Sequence, residues 1–127
     1  MSKFMIGCHL STSKGFLNMG KQIVELGGNT FQFFTRNPRG GAAKPIDEKD
    51  IDAFREFAKE NGIDVILAHA PYTMNLASAK PEVYEFACTV IREDVARMDR
   101  LGIENLVFHP GSHTGIGAEA GIQNIIA

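Results

Sequence analysis

Three histidines stand at the ends of apolar runs, and their placement is the chemistry-bearing feature of the sequence. His69 closes Val65-Ile66-Leu67-Ala68, His109 closes Asn105-Leu106-Val107-Phe108, and His9 closes Phe4-Met5-Ile6-Gly7-Cys8. Val65 to Ala68 and Leu106 to Phe108 read as buried strands, so each imidazole sits at a carboxyl end. Enzymes built on parallel strands gather their chemistry at that end, where the loops converge. Neutral imidazole is also the commonest metal ligand. Three of the four histidines in the chain share this placement, which points to a metal site.

The loops that follow these strands carry further polar chemistry. Thr35-Arg36-Asn37-Pro38-Arg39-Gly40-Gly41-Ala42-Ala43-Lys44 holds three cations and no acid. Arginine presents planar donors to phosphate oxygens, and glycine lets backbone approach them closely. The plainer alternative is a solvated, flexible loop. In His69-Ala70-Pro71-Tyr72-Thr73-Met74-Asn75-Leu76, a tyrosine at the mouth of a site could wedge against bases. Equally, Tyr72 could pack on the neighbouring loop. In His109-Pro110-Gly111-Ser112-His113, proline and glycine fix a tight turn, and His113 is either a further ligand or a hydrogen-bonding loop residue.

Regular elements must position these groups. Phe16, Met19, Ile23 and Leu26 recur at helical spacing, and Gly27-Gly28 provides a left-handed stop before the strand Thr30-Phe31-Gln32-Phe33-Phe34. Asp47 is an N-cap for a helix whose apolar face is Ile51, Phe54 and Phe57, ended by Asn61-Gly62 ahead of Ile63 to Ala68. A third helix starts near Pro81, carries Val83, Ala87, Ile91, Met98 and Leu101 along one stripe, and stops at Gly102. A fourth begins around Ala118-Glu119-Ala120. Strand and helix alternate four times, the pattern of parallel βα units. Four units are half of an eight-stranded barrel. A small open sheet with helices on both faces is the alternative, but the GxGxxG turn usual after its first strand is absent, since His9-Leu10-Ser11-Thr12-Ser13-Lys14-Gly15 stands there.

The 127 residues correspond to one domain, 1–127, with enough chain for a hydrophobic core. A net charge of -2 gives no global basic footprint, so any nucleic-acid contact must come from a local patch. Cys8 and Cys88 lie far apart without CxxC spacing and read as reduced, buried thiols. The N-terminal apolar stretch is too short for a signal-peptide core, and no segment approaches the length of a membrane span. A cytoplasmic protein with no membrane association is the resulting expectation.

Taken together, Ile6-Gly7-Cys8-His9-Leu10-Ser11, Phe33-Phe34-Thr35-Arg36-Asn37-Pro38-Arg39, His69-Ala70-Pro71-Tyr72 with Asn75-Leu76, and Phe108-His109-Pro110-Gly111-Ser112-His113 carry a family resemblance. The sequence resembles the N-terminal half of endonuclease IV, the zinc-dependent family of apurinic/apyrimidinic endonucleases, over essentially its whole length. The last two motifs are the specific ones. The resemblance implies a TIM (β/α)8 barrel, of which this chain covers about the first four βα units, and a hydrolase that cleaves the phosphodiester 5′ of abasic sites in base excision repair. It implies three zinc ions in the complete enzyme, with His69 and His109 matching two ligands of one of them. A bridging glutamate and the other ligands of the family pattern lie beyond residue 127, so this chain holds at most one partial site. The nucleophile implied is water activated by metal, with no catalytic side chain. Arg39 matches the arginine inserted at the lesion, Tyr72 matches the minor-groove wedge, and Thr73 stands where some members have an apolar residue. Arg36 and Asn75 complete the expected DNA-binding set, while His9, Ser112 and His113 are expected to support the metal ligands. The implied partner is double-stranded DNA with abasic sites. The complete enzyme is expected to be a monomer and this half to self-associate.

Two other readings stand beside this one. The related barrel superfamily includes metal-dependent sugar isomerases and epimerases, but an isomerase pocket needs neither the basic loop around Arg39 nor a Tyr72 wedge. The third is an inactive, truncated half-barrel that folds or associates without the ligands for chemistry.

Overall fold

The computed structural model describes residues 3–127. Four strands, β1 (Gly7–His9), β2 (Thr30–Phe34), β3 (Leu67–His69) and β4 (Asn105–Val107), alternate with helices α1 (Phe16–Glu25), α2 (Glu48–Asn61), α3 (Pro81–Leu101) and α4 (Ala118–Ile126). All neighbouring strands pair in parallel, in the order β1-β2-β3-β4. Sequential order is what right-handed βα crossovers dictate.

Register decides which residues share a face. Cys8 pairs with Phe31, Phe33 with Ala68, and Ala68 with Leu106, placing these on one side of the sheet. On that side Phe31, Phe33 and Ala68 pack with Met19 and Ile23 of α1, Phe54 and Ala58 of α2 and Met98 of α3. Leu106 continues the layer toward Ala87 and Val90 of α3 and Ile125 of α4. All four helices therefore cover one face, which excludes the doubly wound alternative. The other face carries His9, Gln32, Phe34, Leu67, His69, Asn105 and Val107.

Local signals account for the element boundaries. Asp47 accepts from the amides of Lys49 and Asp50 and caps α2, whose end at Gly62 takes φ 67°. Pro81 opens α3 and Gly102, at φ 69°, closes it.

Several expectations need correction. Leu26 is the cap residue after α1 and is 65% exposed rather than part of the core face. Cys8 is exposed and Cys88 only half-buried; β1 lies at the edge of the sheet with a strand on one side alone. β3 begins two residues later than the apolar run suggests, and Phe108 falls outside β4, so His109 sits two residues beyond its strand. β1 likewise starts only at Gly7, with the preceding segment held by Asn29, whose side chain accepts from the Ile6 amide and donates to the Phe4 carbonyl. Among the described residues no helix is long and apolar enough to cross a membrane.

Candidate functional site

The carboxyl ends of β2, β3 and β4 bring the singled-out aromatic side chains together. His69 and His109 face each other with ring centroids 5.2 Å apart, and Tyr72 lies 5.8 Å from the first and 5.7 Å from the second. Phe34 forms the floor, edge-on to His69 at 5.1 Å and to Tyr72 at 5.1 Å. His9 also packs against Phe34, with centroids 4.5 Å apart. His69 is buried, whereas His109 and Tyr72 are exposed.

Hydrogen bonding assigns the imidazoles different roles. Nδ1 of His69 lies 2.6 Å from the Ala70 carbonyl oxygen. A carbonyl can only accept, so Nδ1 carries the proton and Nε2 is left with a free lone pair. Metal-binding histidines are oriented in this way by a backbone or carboxylate acceptor. His9 has the opposite arrangement: the Gln32 side-chain amide donates to its Nδ1 at 3.1 Å, so the neutral ring carries its proton on Nε2. Burial first, and then the charge of His69, lowers the His9 pKa from its ordinary value. His9 thus offers a donor beside the site. Two imidazoles, His69 and His109, fit a shared divalent ion by type and spacing; among the described residues no group of three or more His, Cys, Asp and Glu side chains could hold one.

The loops are cross-braced. The Tyr72 amide donates to the Pro38 carbonyl at 3.0 Å, joining the Tyr72 loop to the loop of Arg39. Asn75 joins the Tyr72 loop to the turn after His109: its Nδ2 donates to the Ser112 carbonyl at 3.0 Å, and its Oδ1 accepts from the amides of Ser112 and Ala77, each at 3.1 Å. Gly111 makes this close approach possible, with φ +90° and no Cβ to occupy the space of the Asn75 amide. Nδ1 of His113 accepts from the amides of Gly115 at 3.1 Å and Gly117 at 3.3 Å, shaping the approach to α4. Asn75, Ser112 and His113 are therefore engaged in building the loops.

Arg39 is exposed, its backbone amide held by Asn37 Oδ1 at 3.0 Å. Arg36 is not available to DNA, which corrects that expectation. Its guanidinium is buried and donates to Asp94 Oδ1 from Nε at 2.9 Å and from Nη2 at 2.6 Å, to the Gly41 carbonyl from Nη1 at 2.8 Å, and to Glu93 at 3.1 Å. Burial opposes the Arg36 charge, but the hydrogen bonds and charges of Asp94 and then Glu93 hold its pKa above the ordinary value. Asp94 is the residue that sequence reasoning passed over. Its signal was present: the stripe Ala87, Ile91, Met98, Leu101 skips one turn, and Asp94 fills it.

At the start of α1 two backbone amides are taken up by a carboxylate of the chain itself. The Asp50 carboxylate, on α2, accepts from the amides of Phe16 at 2.6 Å and Leu17 at 3.1 Å at the start of α1. Beside it an open concavity of about 1240 Å³ runs beneath the Ala42–Asp47 segment, touching His9 and Phe34 but neither His69 nor His109.

The family described as xylose isomerase-like TIM barrel matches residues 21–127. Proteins named probable endonuclease 4 are similar throughout: that of Clostridium botulinum (strain Alaska E43 / Type E3) is 55% identical over 120 residues, covering 94% of this chain and 43% of its own length. That of Akkermansia muciniphila is 54% identical over 118 residues, covering 93% of this chain and 43% of its own. The crystal structure of endonuclease IV from Thermus thermophilus superposes with a TM-score of 0.83 at 28% identity, over 97% of this chain and 45% of that one. A D-psicose 3-epimerase shares the fold alone, at TM-score 0.62 and 15% identity, over 94% of this chain and 46% of that one. The chain thus spans somewhat under half the length of the relatives it matches. Its parallel sheet, its single helical layer and these similarities make it a member of the xylose isomerase-like TIM-barrel family, covering about half a barrel and belonging with endonuclease IV.

Proposed function

We propose that this chain supplies part of the metal site and the lesion-reading loops of a zinc-dependent endonuclease that hydrolyses DNA on the 5′ side of abasic sites. The observation that carries the reading is the convergence of His69, its Nε2 free, with His109 and the exposed Tyr72 ring, all three centroids within 5.8 Å of one another. His69 and His109 would hold one zinc ion from two sides, with further ligands from residues outside this chain. Zinc, when bound, supplies Lewis acidity toward a phosphate and makes water a stronger acid.

The chain's own groups then select the substrate. Tyr72, braced by Phe34 beneath it and by Pro38 through its amide, presents a rigid apolar edge to the duplex. Arg39, exposed on the adjoining loop, reaches the space that a missing base leaves. Removing a nucleotide from the stack is least costly where the base is already absent, which favours the abasic site. His9, donating from Nε2, can steady an oxygen at the edge of the site. Phosphate attraction alone would not tell damaged from intact DNA.

The test uses the protein expressed from its complete reading frame. Arg39→Ala and Tyr72→Ala are expected to weaken binding to abasic duplex about tenfold or more relative to intact duplex. His69→Ala and His109→Ala are expected to abolish nicking of an abasic oligonucleotide. Equal losses on abasic and intact DNA would refute the roles given to Arg39 and Tyr72, and unimpaired nicking would refute the metal ligands.

A further inference from the structure

The buried group formed by Thr35, Arg36 and Asp94 lies apart from the His69 and His109 rings, and stability alone does not explain it. Removing two charges from water costs several kcal/mol per ion, and well-packed apolar replacements of buried pairs are often neutral or stabilising. Geometry is what such a pair can provide that apolar residues cannot. Asp94 stands on α3 with no exposed surface. Its Oδ1 receives Nε and Nη2 of Arg36, and its Oδ2 receives the Thr35 hydroxyl at 2.5 Å. The Thr35 amide in turn donates to the carbonyl of His69 at 3.0 Å. The remaining arm of Arg36 ties the Gly41 carbonyl, closing the loop across its base with Arg39 between the two tied points. Beyond Gly41 the chain borders the open concavity; the loop's other hydrogen bonds run from the amides of Asn37 and Gly40 to the carbonyls of Ala42 and Asn37, from the Arg39 amide to Asn37 Oδ1 and from the Tyr72 amide to the Pro38 carbonyl, and none of them reaches α3.

We propose that Arg36 and Asp94 are positioning residues: Asp94 is a fixed point on α3 from which the Arg36 fork holds the Arg39 loop in register with the His69 end of β3. A lysine could not replace the fork, because an ammonium is a point charge without the planar, multiply directed donors of a guanidinium. The importance of this register for DNA rests on the proposed role of Arg39 at the lesion.

The experiment compares Arg36→Met combined with Asp94→Leu, which leaves no unpaired buried charge, with the unaltered protein from its complete reading frame. Amide exchange across residues 37–43 is expected to accelerate about tenfold, while the sheet and α3 stay within about twofold. The ratio of abasic to intact duplex affinity is expected to fall about ten- to a hundredfold. Adding Arg39→Ala to the double variant should then cost less than about twofold, although it has its full effect in the native background. Unchanged exchange in the loop overturns the proposal, and so does a full, additive Arg39→Ala effect. If the double variant does not fold, Arg36→Lys with Asp94 retained serves instead: loop-confined acceleration supports the proposal and native exchange overturns it. An Arg39→Ala change without effect in the native background refutes the lesion role of Arg39, and the exchange result then decides the positioning role by itself.

Discussion

A Cβ built on Gly111 would lie 2.0 Å from Oδ1 of Asn75. The turn after His109 and the loop after His69 are thus fitted to each other at one amide and one missing side chain. Gly111→Ala meets both this clash and a left-handed backbone, and should destabilise the chain by about 1–3 kcal/mol. Asn75→Ala removes three hydrogen bonds and should cost a similar amount, about 1–3 kcal/mol. Because the clash is with the Asn75 side chain, Gly111→Ala should cost less in the Asn75→Ala background. Urea unfolding of the two single variants and the double variant measures the coupling; strict additivity would mean that the two loops are not fitted through this pair.

Metal affinity separates the chain's two imidazoles from a complete site. Stable zinc sites use three or four protein ligands. Calorimetric titration of the 127-residue polypeptide with zinc should therefore show at most weak binding, lost in His69→Ala and in His109→Ala. Tight uptake of several ions by this polypeptide would contradict the assignment of His69 and His109 as a partial set.

His9 should titrate below the ordinary histidine range. Its folded pKa lies below the ordinary 6.5, through burial first and the neighbouring His69 second. The unfolded chain then binds this proton more readily than the folded one, so the contribution of His9 to stability is present above about 6.5 and is lost as pH falls through the lower folded value. Nitrogen chemical shifts should report the neutral ring protonated on Nε2 for His9 and on Nδ1 for His69. A His9 ring protonated on Nδ1 would break the assignment of Gln32 as its donor.

The sequence made the helical layer and the strand order readable because both are periodic properties. Apolar spacing marks the inward stripe of each helix, glycine marks each stop, and sequential βα units leave few topologies. The gathering of His9, His69 and His109 at the carboxyl ends of the strands was readable for the same reason, since parallel strands send their following loops to one end. What residue types could not convey was which polar groups are already engaged. Arg36 and Arg39 are both arginines in one basic loop, yet the first is satisfied by an aspartate on α3 and the second is exposed. Asn75 likewise turned inward, because a turn containing Gly111 came close enough to take up its amide.

Exposed apolar side chains and open strand edges predict the behaviour of the 127-residue polypeptide on its own. Phe4 is 80% exposed, and Met5, Ile6, Val107, Phe108, Ile122 and Ile126 also present apolar surface. β1 and β4 each have one unpaired edge in the four-stranded sheet. Exposed strand edges and contiguous apolar surface promote association. Light scattering of this polypeptide should show dimers or larger species; a stable monomer at micromolar concentration would count against the exposed face as an associating surface.

The hydrogen bond from the Tyr72 amide to the Pro38 carbonyl has a consequence for engineering. It links the positions of two loops that are separate in sequence, so lengthening or shortening one displaces the other. Exchange of the paired segments 35–44 and 69–76 from a single donor would keep this bond, whereas exchange of either segment alone would put it at risk.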